Sequence, residues 1–325
     1  MDLVPFSVKK ACFLVRSLTA AILVFAYGCG DDSDTRVVDF SKTVAVEQSG
    51  DRSAVNLSLR VAVAAMISPK ETFVYHRQVL DYIGRRLDRD IELIQRKTYG
   101  EIDKLFGMDQ IDLAFICSGP YATGKEKYGF ELLATPEVLG SHFYRSYLIV
   151  NKDSPFQRLE DLRGRVFAFT DPDSNTGRLV PVYWLAQMQE RPKTFFSETI
   201  KTYGHDNSIL AVAWGLVDGA AVDGLIWEYY KHKNSTFTSK TRIIKKSEPY
   251  GIPPLVVRKS LPAELKERIR LLLFSMHQDP EGQRILRELR IDRFVMPQEA
   301  WYEPIRQMVN KLALLNKELH EPEKP

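Results

Sequence analysis

Between Leu57 and Ile116 the apolar residues change spacing in a regular order. Leu57 to Ala64 alternates, as a strand with two faces does. Phe73, Val74, Val79, Leu80, Ile83 and Leu87 recur at helical spacing and predict a helix over 73–87. Ile91 to Lys97 predicts a strand, Tyr99 to Phe106 a short helix, and Ile111 to Ile116 a buried strand. Strands joined through helices pair in parallel, because such a connection has to cross back over the sheet. A second set follows, with strands at Tyr144–Val150, Val166–Thr170, Ile200–Tyr203 and Ala220–Val222. Helices over Gly177–Gln189 and Ser208–Leu216 lie between them. Arg242–Lys246 and Leu255–Arg258 read as later strands, and Pro262–Gln278, Pro280–Leu289 and Gln298–Leu315 as amphipathic helices. The chain therefore predicts two α/β sets and a helical tail.

Residues 1–28 stand apart from this pattern. Lys9, Lys10 and Arg16 precede a short apolar run, Ser17 to Phe25, and Ala26-Tyr27-Gly28 leads to Cys29. This is a secretory signal, too short for a membrane span. Gly28-Cys29 resembles the lipobox of bacterial lipoproteins, with Ala26 where leucine is usual and Tyr27 where a small residue is usual. That resemblance implies acylation of Cys29 and a membrane tether. Ordinary cleavage without a lipid is the alternative. Residues 29–56 are rich in Asp, Ser and Thr and read as a flexible tether.

Composition narrows the function. The formal charge is +3, and residues 1–28 hold three basic and one acidic side chain, which leaves about +1 for the remainder. No basic excess points to nucleic acid. Roughly 270 folded residues suit two lobes better than one core. Of Cys12, Cys29 and Cys117 only the last falls in the expected domain, so no disulfide framework is predicted. The histidines (His76, His142, His205, His232, His277 and His320) are scattered, and no metal site or cofactor is expected. Neither a nucleophile elbow nor a Walker pattern occurs.

The stretch Asp171-Pro172-Asp173-Ser174-Asn175-Thr176-Gly177 lies between a predicted strand and a predicted helix. Unpaired N–H groups and the positive end of the dipole gather at a helix start. Ser174, Asn175 and Thr176 add polar side chains, which together make a cradle for an oxyanion. A plain N-cap is the alternative reading. Ligands in open α/β sheets bind beyond the carboxyl ends of strands. The stretches 117–121, 171–177 and 204–207 all fall at such ends and are expected to be loops facing one cleft.

Four stretches in order resemble the substrate-binding proteins of ABC transporters, in particular their phosphonate/phosphate/phosphite branch. They are Ile111-Asp112-Leu113-Ala114-Phe115 before Gly119-Pro120; Leu148 to Pro155 with Leu159 to Gly164; the Asp171–Pro181 segment; and Gly204-His205-Asp206 running on to Val217–Asp223. The resemblance covers about residues 57–310. It implies a two-lobe periplasmic-binding-protein type II fold, each lobe a mixed sheet flanked by helices, hinged by two crossover strands. Lobe I would be 57–143 plus 253–325 and lobe II 144–252.

The resemblance also implies a ligand set. Ser174, Asn175 and Thr176 match the family's anion cradle, and His205 its ligand-facing histidine. Tyr99 and Tyr144 match tyrosines at the ligand, and Asp223 a pocket-lining position. Loop or core packing is the alternative for His205, Tyr99 and Tyr144, and a helix cap for Asp223. Cys117-Ser118-Gly119 looks one residue longer than the family's usual loop, which leaves Ser118 unassigned. Leu225 and Pro253 stand where aminophosphonate binders place carboxylates, so phosphate, phosphite or a phosphonate with a small uncharged tail is favoured. The implied protein is not an enzyme. Ser174 with His205 lacks a third partner for nucleophilic catalysis. It is an extracytoplasmic, membrane-anchored lipoprotein that passes an oxyanion to an ABC permease. The alternative is a sensor presenting its closed form to a membrane signalling partner.

Overall fold

The computed structural model of the chain describes residues 58–64 and 69–318. The expected signal 1–28, the tether 29–56 and Cys29 lie outside these residues.

The first half of the chain runs β1 (Leu59–Val63), α1 (Pro69–Leu87), β2 (Ile91–Gln95), α2 (Tyr99–Gly107), β3 (Leu113–Phe115), α3 (Ser118–Tyr128) and β4 (Phe130–Glu137). Two strands follow, β5 (Phe143–Tyr144) and β6 (Ser146–Asn151), then β7 (Val166–Phe169), α4 (Val180–Gln187), α5 (Pro192–Phe195) and β8 (Glu198–Lys201). Next come α6 (His205–Ala213), β9 (Gly219–Asp223), α7 (Gly224–Lys233), β10 (Thr241–Lys246), β11 (Tyr250–Gly251) and β12 (Leu255–Arg258). The chain closes with α8 (Ala263–Ser275), α9 (Pro280–Leu289), β13 (Arg293–Val295) and α10 (Glu303–Glu318).

The strands form two mixed sheets. The first has the order β13-β4-β12-β3-β1-β2, and the second β10-β6-β9-β7-β8. In each, strands separated by helices pair in parallel: β1 with β2 and β3, and β7 with β8 and β9. The late strands β12 and β10, and β6 against β9, pair antiparallel.

Period-2 alternation decides what each face buries. Leu59, Val61 and Val63 pack with Val79, Leu80 and Ile83 of α1 and with Ile269 and Leu273 of α8. Ala62 faces the other side, in the cluster that holds Ile102 and Phe106 of α2. In the second sheet Ala168, Ala220 and Val222 pack with Ile209 and Val212 of α6, while Phe167, Phe169 and Ala221 join Val180 and Trp184 of α4.

One short strand pair lies between the two sheets. β5 pairs antiparallel with β11, Tyr144 opposite Tyr250 and Gly251 opposite Phe143. The predicted strand 144–150 is thus split at Arg145 between this short ladder and the second sheet. The tail helix α10 packs on both α3 and α4, so it touches the helices of both sheets.

Three expectations are corrected. Ser118 to Tyr121 is the first turn of α3, not a loop. Its two glycines, one proline and sparse apolar residues erase helical periodicity, yet Pro120 falls in the first turn, where no N–H is required. His205 opens α6, so only Gly204 of the 204–207 stretch precedes a helix. The helix expected from Gly177 begins earlier, as a π-turn over Asn175–Leu179 that leads into α4.

One polar cluster ties β1, β3 and β12 together. Asp112 accepts from Arg60 through N, Nε and Nη2 at 2.8, 3.0 and 2.9 Å, and from Arg258 Nε at 2.6 Å. The two guanidiniums hold its carboxyl below the usual range, against the opposing effect of burial. Asp112→Ala leaves both arginines without their shared acceptor and is expected to cost about 2 kcal/mol in urea unfolding; a cost near zero would show the cluster to be mere surface screening.

Candidate functional site

The site is built at the end of β7. Thr170 and Asp171 are buried, and the chain turns through an Asx turn in which Asp173 N donates to Asp171 Oδ1 at 2.8 Å. Ser174 is the N-cap, its Oγ accepting from Gly177 N at 3.1 Å. The next turn is wide: Leu179 N reaches back to Ser174 O at 2.9 Å, an i to i−5 bond. Pro181 has no N–H, so it leaves Gly177 O without the α-helical donor four residues on. Thr170 N donates to that oxygen instead, at 3.3 Å. The strand end is thereby bonded to the helix start.

This geometry demands a glycine. A Cβ at Gly177 would sit 1.9 Å from Thr170 Oγ1. It also turns Asn175 and Thr176 inward, where both are fully buried. Thr170 Oγ1, Asn175 Oδ1 and Thr176 Oγ1 are each buried without a hydrogen-bond partner. Leaving a buried polar atom unpaired costs roughly 1–3 kcal/mol, so three within seven residues of chain make this segment a candidate site for a polar ligand.

The opposite wall comes from the other sheet's helices. Tyr99 N, at the start of α2, donates to Asp171 Oδ2 at 3.0 Å. At α3, a Cβ on Gly119 would lie 2.5 Å from Asp173 O and 3.0 Å from Asn175 N. Ser118 Oγ is hydrogen-bonded to the Tyr144 hydroxyl, and Asn175 Nδ2 donates to that same hydroxyl at 3.2 Å. Rotated by 180°, Asn175 would accept from Tyr144 and turn its N–H donors to the unpaired side.

His205 Nδ1 accepts from Asp223 N at 3.0 Å, so in its neutral form the ring carries its proton on Nε2. Burial pushes the imidazole down to about 3, and the ring stays neutral. Asp223 caps α7, its Oδ1 accepting from Leu225 N at 2.7 Å and Ile226 N at 3.4 Å. Burial pushes its carboxyl up to about 7 despite these two bonds. The Tyr99 phenol is raised well above its ordinary value, first by burial and then by the nearby Cys117, Asp171, Asp223 and Tyr144. Tyr144 is raised likewise, again mainly by burial. Both remain protonated donors at neutral pH.

The seven residues singled out in the sequence thus fall in one region, but not in equal roles. Asn175 and Thr176 are buried there beside Tyr144, the Tyr99 phenol lies near Asp171, Asp223 and Tyr144, and His205 bonds the Asp223 backbone. Ser174 and Asp223 spend an oxygen each on capping. Thr170 is new to the site, while Asp171 and Ser118 fall in stretches expected at the cleft but given no role of their own. Only the Asp-Pro-Asp turn hinted at Asp171, and nothing local marks Ser118. A cavity of about 780 Å³ adjoins the region, with Tyr144 and Asp223 in its wall.

The fold defines a class of protein with two mixed α/β sheets joined by a short strand pair and a buried polar segment between their helices. The profile of the ABC transporter phosphonate periplasmic substrate-binding proteins matches residues 61–302, and the chain belongs to that family. It is 32% identical over 173 residues to the "Phosphonates-binding periplasmic protein" of Escherichia coli strain K12, covering 52% of this chain and 51% of that relative. It is 25% identical over 181 residues to the "Probable ABC transporter phosphite binding protein PhnD1" of Prochlorococcus marinus strain MIT 9301, covering 52% of this chain and 61% of that relative. The matches therefore span about half to three fifths of these relatives' lengths. Among solved structures, a binding-protein component of an ABC phosphonate transporter from Pseudomonas aeruginosa superposes with a TM-score of 0.74 at 24% identity, over 81% of this chain and 95% of that one. A Prochlorococcus marinus structure in complex with methylphosphonate superposes with a TM-score of 0.71 at 19% identity, over 79% and 98%. These neighbours establish the two-lobe type II fold.

Gly177→Ala is expected to destabilise the protein by about 2 kcal/mol through the clash with Thr170, read by thermal unfolding; an unchanged midpoint would contradict the packing described. A second expectation concerns pH. Asp103 on α2 is buried beside Asp173 and Asp171, its Oδ1 unpartnered, and burial followed by these two charges pushes it up to about 7. A raised carboxyl contributes stability below its unfolded value near 4, and that contribution is lost as pH climbs to about 7. Asp103→Asn should therefore gain stability relative to the parent between pH 5 and pH 8. Parallel pH profiles of the two would refute it.

Proposed function

We propose that this protein captures a small phosphorus oxyanion (phosphonate, phosphate or phosphite) between its lobes and delivers it to an ABC permease. The observation that carries this reading is the trio of buried, unpartnered side-chain atoms on Thr170, Asn175 and Thr176. Helix starts at Tyr99, Ser118 and Asn175 meet at the same turn, and a fourth opens at His205, which bonds Asp223 N. Their dipoles bring positive potential without a formal cation. Neutral donors, namely Thr176, Tyr144, Tyr99 and His205 Nε2, would satisfy the anion. Asp223 in the wall would have to share a proton with it. The names of the two curated relatives, one for phosphonates and one for phosphite, favour the same ligand class.

The reading includes lobes at 57–143 plus 253–325 and at 144–252, closing by rotation about β5 and β11. It includes an extracytoplasmic location, as the family implies, and an anchor through acylated Cys29. Binding rather than catalysis is its chemistry, in keeping with relatives that are transporter components.

Calorimetry of the full chain with phosphate, phosphite, methylphosphonate and sulfate tests it. A phosphorus oxyanion should bind, and Thr176→Ala and His205→Ala should each weaken it about tenfold, the worth of one hydrogen bond to a charged group. Silence toward every phosphorus oxyanion at millimolar concentration would end this reading.

A further inference from the structure

We infer that the end of the second sheet farthest from the cradle is a docking surface for an anionic lipid bilayer. The inference depends neither on the oxyanion reading nor on Cys29.

Strand β6 runs between the two ends. Its Ser146 pairs with Asp223, and Ser146 Oγ donates to Thr176 O at 2.7 Å. Its Asn151 lies opposite Thr241. Six residues of strand at about 3.3 Å each place this far end roughly 17 Å from the cradle. Three elements meet there. Asn151 Nδ2 donates to Val212 O at 3.2 Å and Ala213 O at 3.3 Å, which holds the end of α6 beside β6. Trp227 Nε1 donates to Thr241 Oγ1 at 3.0 Å and ties α7 to β10. Lys152 N donates to Lys240 O at 2.9 Å.

The end of α6 presents two apolar side chains on a fixed backbone. Gly215 takes φ 68°, its N–H donates to Val212 O at 3.1 Å, and Leu216 N donates to Ala211 O at 2.9 Å. This double closure of a helix end frequently brings a hydrophobic contact for the residue after the glycine. Here Leu216 stays 70% exposed and Trp214 59% exposed. Tryptophan, an apolar ring with one N–H, settles at the headgroup level of a bilayer.

The charge around this pair is one-sided. Tyr229 to Ser247 holds six basic residues and no Asp or Glu. Lys231 and Lys233 stand in the last turn of α7, and Lys152 and Lys240 beside the paired ends of β6 and β10. Lys240 Nζ lies 4.3 Å from the centre of the Trp214 ring. Asp218 accepts from Val166 N at 2.9 Å, which leaves the exposed Asp153 against four lysines. The neighbouring turn 158–165 carries three arginines against Glu160 and Asp161, so it does not reverse the sign. The helix dipole accounts for lysines at the end of α7, but not for Lys152, Lys240 or the exposed pair. A layer of anionic headgroups over hydrocarbon answers both features at once: each lysine near such a surface favours it about fivefold, and the apolar pair enters the acyl boundary.

Fluorescence of the full chain on vesicles of phosphatidylglycerol and brominated phosphatidylcholine tests this, brominated acyl chains being contact quenchers of tryptophan. The difference between the parent and Trp214→Phe isolates the signal of Trp214, however the chain is otherwise attached to the vesicle. That signal should be quenched and move to shorter wavelength on the anionic vesicles, and stay unchanged on brominated phosphatidylcholine alone. Lys231→Gln, Lys233→Gln and Lys240→Gln together remove roughly 100-fold in partition and should abolish the quenching. Added salt should weaken it. An unquenched Trp214 on anionic vesicles, equal quenching with and without phosphatidylglycerol, or undiminished quenching in the triple variant overturns the inference. A Trp214 response that appears only when a permease is present in the vesicle assigns this end to a protein partner and overturns it as well.

Discussion

The carboxylate of Asp171 accepts from two N–H groups that belong to different halves of the fold. One is Asp173 N in its own turn, the other Tyr99 N at the start of α2. Through that side chain the geometry of the cradle and the approach of the opposite wall are set together. The turn cannot relax without releasing α2, and α2 cannot withdraw without leaving a buried carboxylate short of a donor. Burial, with smaller contributions from the nearby Asp173 and Glu101, pushes Asp171 up to about 6 even though its two N–H partners act against that rise. The bond is therefore best made while the group is ionised.

In the proposed reading, neutral donors beside this contact would meet the anion. The donors near the cradle are hydroxyls, an amide, a neutral imidazole and helix starts. Two of them are held by partners that fix their direction: Asp223 N sets the tautomer of His205, and Ser118 and Asn175 position the Tyr144 hydroxyl. Preorganised dipoles in a water-poor cleft can match the field of a cation while demanding close geometric fit. A lysine there would attract any anion, whereas oriented dipoles distinguish shapes.

The legibility of this molecule follows physical lines. Elements with an apolar period were readable because burying one face is a local pattern with a tertiary purpose: β1, α1, β7 and α9 appear within a few residues of expectation. Elements without that period were not. α3 carries two glycines and one proline in its first seven residues, and the three-residue β13 is too short to show alternation. The cradle was readable because Ser-Asn-Thr before a helix is turn chemistry. Its π-turn was not, since it arises from Pro181 freeing Gly177 O for Thr170 N, a bond between residues on different elements.

The sequence by itself determined that two α/β sets would form, that polar donors would cluster after Thr170, and that no amine-pairing carboxylate stands at 225 or 253. Those are matters of side-chain identity and local period. Only the tertiary structure decided that Asp171 joins the two walls, that Ser118 reaches Tyr144, that His205 is held neutral with Nε2 as its donor, and that a cavity opens beside Tyr144 and Asp223. Each depends on groups far apart in the chain meeting at a fixed distance, and such distances are set by packing of the two sheets and their helices, which no local pattern records.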